Sequence, residues 1–355
     1  QKSQFLFIKK SFMLAEKTGV LLVNLGTPDD PGRSAVYRYL KQFLLDRRVI
    51  DIPWLFRQLL VRGIIAPFRS GSSSELYKRL WTDKGSPIKI YGFSVAEKLQ
   101  NMLGEEYKVN LAMRYQQPSI EATLKKLLFD DKVSNLIVFP MFPQYASATT
   151  GSVHDEVMRI LRQWEVIPNL QLINSYPDDS AMVNVYSKNA RKYPLEDYDH
   201  FIFSFHGVPQ RHVKKADPSS QHCLKAKDCC KVLNENNRFF YSAQCYRTAA
   251  AIAQSLQITN NKYDVTFQSR LGRDPWLQPY TDQTLTELLA RGKKKILVFS
   301  PAFVADCLET TIEIGFEYKE QFLHAGGEKL DLVESLNDDE DWVSAIAEMV
   351  KKRRI

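Results

Sequence analysis

Eight apolar runs, separated by longer amphipathic stretches, restrict the fold of this chain more tightly than any other feature. They are GVLLVNLG (19–26), YKVNLAM (107–113), SNLIVFPMF (134–142) and NLQLINSY (169–176), then HFIFSFHG (200–207), KYDVTFQS (262–269), KKILVFSPA (294–302) and KLDLVESL (329–336). A strand wetted on one face alternates apolar and polar residues. These runs are apolar on both parities, the pattern of parallel strands covered on both faces. Segments with helical periodicity, such as PSIEATLKKLLF, AMVNVYSKNARK and DQTLTELLARG, supply the crossovers. Such alternation defines an α/β chain of the doubly wound type. In each set of four runs a long first interval precedes two shorter ones of similar length. The spacing therefore predicts two similar Rossmann-like domains, each on a four-stranded parallel sheet, facing each other across a cleft. Their expected spans are 13–177 and 178–337, with a last helix within 338–355 packing back on the domains.

A chain of 355 residues is long enough for two such cores. With 44% apolar and 25% charged residues it has soluble globular composition. The formal charge of +7 favours anionic partners. No basic block exceeds KKK (293–295) or KKRR (351–354), so nucleic acid is not expected. The longest uncharged run, Val133 to His154, holds two prolines and many polar groups, which excludes a membrane-spanning helix there. The opening QKSQFLFIKKSFMLAEKTG has an apolar patch too short for a signal sequence and no small-residue cleavage site. Met13 is read as the natural start, with the twelve residues before it extraneous, and a cytoplasmic location is expected.

Ligands of doubly wound folds bind beyond the carboxyl ends of the strands. FIFSFHGVP (201–209) ends a buried strand in His206. An imidazole titrates near neutrality and can take a proton from a ligand there, although a strand-end histidine can equally be a structural one with local partners. FQSRLGRDPWLQPYT (267–281) and SPAFVADCLETTIEIGFEY (300–318) follow two other strands of the second set, and FPQYASATTGS (142–152) follows one of the first. Glu309 and Glu313 lie four apart, which puts both carboxylates on one helical face. Glu317 continues the row and is expected to face solvent. After Pro53, Leu55, Phe56, Leu59 and Leu60 share a helical face, with Arg57 and Arg62 off it. That pattern fits either a helix buried on the first sheet or an exposed apolar lip. Four of the five cysteines, Cys223, Cys229, Cys230 and Cys245, cluster in one insertion. Clustered thiols in a cytosolic chain indicate metal or redox chemistry. Their spacing is not that of a zinc ribbon, and four thiolates are what a [2Fe–2S] cluster needs.

Taken in order, VNLGTP, GSPI, MRY, FPQYASATTG, FSFHG, QSR followed by PWL, and DCLET make the chain resemble the ferrochelatases from about Gly19 to Val350. These enzymes insert ferrous iron into a porphyrin in haem synthesis. The resemblance implies a chelatase-like fold and a lyase that converts Fe²⁺ and protoporphyrin IX to protohaem, releasing two protons. It implies His206 and Glu309 as the catalytic pair, also touching the incoming iron, with Glu313 continuing a proton or metal conduit and Asp306 in the matching loop. Arg114, Tyr115 and Tyr145 match porphyrin contacts on the opposite wall, Ser86 a propionate contact and Trp276 a stacking residue. The region 43–81 matches an apolar lip over the porphyrin mouth that touches the membrane peripherally. The insertion at about 214–245 resembles that of a bacterial subset whose four cysteines hold a [2Fe–2S] cluster. Cys307 stands where many relatives have a histidine, so it is assigned neither a relay role nor a place in the cluster. Alternatives are a chelatase for cobalt, nickel or coproporphyrin, and a non-catalytic porphyrin or haem carrier.

Overall fold

The computed structural model describes residues 17–353 apart from 227, 232 and 273. The expected start at Met13, and the residues before it, lie outside the described residues. All eight apolar runs form strands: β1 (Thr18–Gly26), β2 (Tyr107–Tyr115), β3 (Asn135–Pro140), β4 (Asn169–Leu172), β5 (His200–His206), β6 (Tyr263–Gln268), β7 (Lys295–Phe299) and β8 (Lys329–Leu332). They make two four-stranded sheets, ordered β2-β1-β3-β4 and β6-β5-β7-β8. Every neighbouring pair is parallel. The order is the same in both, as duplication of one unit requires. In each sheet the chain reverses its direction of winding beside the first strand, and there the crevice at the carboxyl ends opens. His206 is the last residue of β5.

Several strands stop before their apolar runs do. β3 ends on Pro140 and β7 just before Pro301, because proline has no N–H to give to the ladder. Met141, Phe142 and Val304 stay buried past those ends, so they belong to the loops that build the site. At the end of β1, Gly26 has φ +116°, and a Cβ there would sit 2.1 Å from the Tyr115 carbonyl oxygen. Only glycine fits both conditions.

One apolar core joins a face of each sheet. It includes Val20, Leu22 and Phe139 from the first and Phe203, Phe205 and Phe299 from the second. The last helix, Glu340–Lys351, drives Trp342 and Ile346 into the same core. Asp338, just before it, accepts Ser94 Oγ at 2.5 Å and Lys98 Nζ at 2.8 Å from the helix Pro87–Leu103 of the first half.

The segment after Pro53 is α-helical over Trp54–Leu60, makes one π turn over Val61–Ile65 and continues as the helix Ala66–Leu80. Leu55, Phe56 and Leu59 are 57–63% exposed, so the apolar face points outward and the segment is a lip. The expected flanking role of Arg57 is corrected. Its side chain turns inward and is buried, while Arg62 is exposed.

Candidate active site

A cavity of about 650 Å³ lies between the carboxyl ends of the two sheets and under the lip, within the range of small-molecule sites. Its wall is mainly apolar, with Leu60, Ile65 and Leu76 from the lip and Ile88, Val208 and Ile312 opposite them. His206, Glu309, Glu313, Ser86 and Trp276 all line it. The sequence had already separated these five as site residues, and the fold brings them together.

His206 is half-buried, its ring 6.4 Å from that of Trp276 and 6.2 Å from that of Phe303. Its Nδ1 is 2.6 Å from the Gly207 carbonyl oxygen. A carbonyl can only accept, so Nδ1 carries the ring proton and Nε2 keeps its lone pair. The local turn thereby fixes the tautomer that acts as a base. The Tyr241 hydroxyl donates to the His206 carbonyl at 2.7 Å and anchors the strand end. Trp276 Nε1 donates to Leu271 O at 2.9 Å, and Ser86 accepts Thr27 Oγ1 at 3.0 Å.

Glu309 and Glu313 stand on a π-helix, Leu308–Tyr318, rather than an α-helix. Its wider turn (i→i+5 hydrogen bonds) is uncommon and concentrates at functional sites. The expectation that Glu317 faces solvent is corrected: it lines the cavity with the other two and is only half-exposed. Burial, then the neighbouring Glu313, pushes the Glu317 carboxyl above its ordinary range. Glu313 accepts from Ser269 N at 2.9 Å, Tyr318 OH at 3.0 Å, Gln268 Nε2 at 3.2 Å and the Ser269 hydroxyl. Four donors fill the lone-pair sites of one carboxylate, so the Glu313 side chain is held in one position. Glu309 is held by its backbone, through Gln268 Nε2 at 3.0 Å from its carbonyl. The Cys307 thiol donates to the Glu309 side chain, and burial together with that carboxylate pushes the thiol well up, so it keeps its proton. Asp306 accepts Asn337 Nδ2 at 2.8 Å and does not line the cavity.

Three expected porphyrin contacts lie elsewhere. Arg114 donates to Asp46 at 2.7 Å and to Ser152 Oγ at 2.7 Å. The Tyr115 hydroxyl donates to the same Asp46 oxygen at 2.9 Å. Both side chains serve a buried network behind the wall and neither lines the cavity. Both side chains at this strand end converge on one Asp46 oxygen, and a motif match does not say which side of a strand end faces the ligand. Tyr145 lines an adjoining polar cavity instead. Sequence reasoning missed Asp46, which lies 68 residues before Arg114 with no local signal, and gave no role to Gln268 and Ser269 although QSR was in view.

The insertion is organised by Asp217, whose carboxylate accepts from the Ser219 hydroxyl and from the His222 and Cys223 amides, the amides at 2.9 and 2.8 Å. Three of its cysteines meet: the sulfurs of Cys229 and Cys230 are 3.4 Å apart, and Cys230 also hydrogen-bonds Cys223. Cys245 is fully buried on the helix Tyr241–Ser255, near enough that charge on Cys230 disfavours its ionisation. The bond from Cys230 lowers the Cys223 thiol and correspondingly raises Cys230. Among the described residues no His, Cys, Asp or Glu set is arranged to hold a single metal ion.

Comparison with known proteins first defines the class. The fold is that of the two-sheet chelatases. The structure of SirB from Bacillus subtilis with Fe³⁺ matches with a TM-score of 0.52 at 11% identity, covering 95% of both chains. The sirohydrochlorin chelatase SirB from Bacillus subtilis subspecies spizizenii, in complex with cobalt, matches with a TM-score of 0.51, also at 11%, covering 95% of this chain and 94% of that one. At such identity the likeness concerns fold alone. Sequence then narrows the class. The ferrochelatase family profile matches residues 17–354. Ferrochelatase of Legionella pneumophila (strain Lens) is 40% identical over 337 residues, 95% of this chain and 99% of that protein. Ferrochelatase of Coxiella burnetii (strain Dugway 5J108-111) is 43% identical over 351 residues, 97% of each. The chain belongs to the ferrochelatase family and is a metal chelatase of haem biosynthesis, a lyase.

Proposed function

We propose that this enzyme takes Fe²⁺ and protoporphyrin IX and releases protohaem and two protons, as the last step of haem synthesis. One observation carries this reading: His206, with Nε2 free to accept, shares an apolar cavity with the carboxylate of Glu309. The flat macrocycle is bound by apolar contact, Trp276 stacks beside it, and Ser86 offers its hydroxyl to a carboxylate arm. As iron enters, two pyrrole N–H bonds break and both electron pairs go to the metal. His206 takes the first proton. Glu309 accepts the next one or passes it on, and contacts the incoming cation. Glu313 and Glu317 extend the negative potential away from the ring, which draws cations in and gives protons a way out. A carrier would need no proton acceptor, and three carboxylates in an apolar cavity would weaken its hold on an anionic pigment. An anaerobic assay of metal insertion tests the reading. Ferrous insertion into protoporphyrin IX should exceed insertion of Co²⁺ or Ni²⁺ and insertion into coproporphyrin; the opposite ranking would reassign the substrate.

We further propose that Cys223, Cys229, Cys230 and Cys245 hold a [2Fe–2S] cluster. The donor set supports it: four thiols in one insertion, three of them buried, with Cys223 and Cys229 both against Cys230. When bound, such a cluster supplies one-electron redox chemistry and a covalent staple across the insertion. The chain's part is to gather the thiols, with Asp217 pinning the Cys223 backbone. Protein purified anaerobically with iron supplied should be reddish-brown, and dithionite should bleach it. Cys245→Ser should lose that absorbance; a colourless wild type would remove the cluster from the account.

We also read the lip as a peripheral membrane contact. Its exposed Trp54, Leu55, Phe56 and Leu59 support this. No helix among the described residues is long and apolar enough to cross a membrane.

A further inference from the structure

Beside the main cavity lies an open groove of about 660 Å³ that shares Ile52 and His212 with it. Its wall carries Arg47, Arg48, Arg57 and Lys215 against one carboxylate, Asp51. Asp155 stands behind the wall, 3.1 Å from Arg47 and 3.2 Å from Arg48, while Lys215 pairs with Asp51. Four cations therefore face two carboxylates. Arg211 also reaches Asp51, at 2.6 Å, and brings Asp274 with it, so counting that pair leaves the excess of two unchanged.

Arg57 is the residue without a counter-ion. It is 9% exposed, and its Nη1 donates only to the carbonyls of Ile50 and Ile52, at 3.1 and 3.0 Å. Its Nε is buried without a partner, and among the described residues no carboxylate lies within ion-pair distance of it. A guanidinium held out of water without an anion is costly, and a ligand oxyanion would relieve that cost. The same short helix, Trp54–Leu60, carries Trp54, Leu55, Phe56 and Leu59 on its outer side, 57–65% exposed. Cations and apolar side chains thus meet across one helix, as they must at a boundary between headgroups and acyl chains.

We propose that this groove is a headgroup site for an anionic phospholipid, its phosphate oxygens taken by Arg57 and Arg48 while the outer side chains of the helix enter the acyl region. This site presupposes the membrane-facing lip described above. Free phosphate presents the same oxygens; the lipid is favoured because the helix that supplies the cation also supplies the apolar face.

Full-length protein sedimented with vesicles tests this. Vesicles of phosphatidylcholine mixed with phosphatidylglycerol should bind it more tightly than phosphatidylcholine alone. Arg48→Gln with Arg57→Met should weaken binding to the mixed vesicles about thirtyfold, two cations' worth, and leave binding to phosphatidylcholine little changed. Lys351→Gln with Lys352→Gln removes the same charge far away and should change binding less than about threefold at physiological salt. Should Arg57→Met not fold, Arg48→Gln with Lys215→Gln carries the same expectation. An equal loss in groove and distant variants would mean diffuse attraction and would overturn the site. Equal binding of wild type to both vesicle types overturns the headgroup site and spares the lip; binding to neither overturns the lip reading itself. Calorimetric binding of inorganic phosphate that Arg57→Met abolishes, without any preference among vesicles, would make the ligand a free anion and overturn the lipid.

Discussion

Replacing His206 with alanine lowers the rate of iron insertion by about 10³-fold or more, the upper part of the range for a positioned general base, while the protein stays folded and still binds porphyrin. The side chain makes one hydrogen bond, to its neighbour's carbonyl, so its loss costs stability only about 1 kcal/mol. Porphyrin affinity persists because the apolar wall is untouched. Glu309→Gln, nearly isosteric, removes the charge yet keeps a side chain able to bond the Cys307 thiol. Its loss of turnover should be comparable, showing that charge rather than shape is used. The measurements are anaerobic turnover, pigment binding by absorbance, and a denaturant midpoint for each variant. Bound porphyrin with undiminished turnover in both variants would mean that neither residue handles the protons, and the assignment of the site would fail.

The fold was legible because its signal is redundant. Short runs apolar on both parities, alternating with helical segments, fit strands covered twice, and each of the eight became one. Residues just past the strand ends were harder. Met141 and Phe142 look like a continuation of β3, yet the ladder stops at Pro140 and they turn into the site. Glu309, Glu313 and Glu317 were placed in one row by their spacing, but spacing alone did not say how far along the row the cavity reaches, and Glu317 was expected in solvent. The lip pattern showed an apolar face without saying whether it met protein or water. Arg57 holds part of the answer: bonded to the carbonyls of Ile50 and Ile52, it pins its own side of the helix inward and leaves the leucines outside.

Arg114 offers the sharpest contrast between motif and geometry. As a porphyrin contact, its loss would raise the KM for the pigment and spare the fold. The structure instead has it paired with Asp46, whose side chain is 6% exposed and also accepts from Tyr115 and Ser152. Arg114→Leu removes the guanidinium, the only charge paired with Asp46 among the described residues. Leaving a buried carboxylate without its cation costs about 3–5 kcal/mol, far more than an exposed ion pair contributes. A fall of that size in unfolding free energy, read from a urea midpoint at unchanged slope, is the expected result. For the folded fraction, KM for the porphyrin should shift by less than about twofold, since no uniform binding energy has been removed. Asp46→Asn added to Arg114→Leu should recover much of the stability, because the stranded charge is gone and the amide can still accept from Tyr115 and Ser152. A full-stability Arg114→Leu enzyme with a manyfold higher KM would return this residue to the substrate wall, and would mean that the Asp46 network opens when the ring binds.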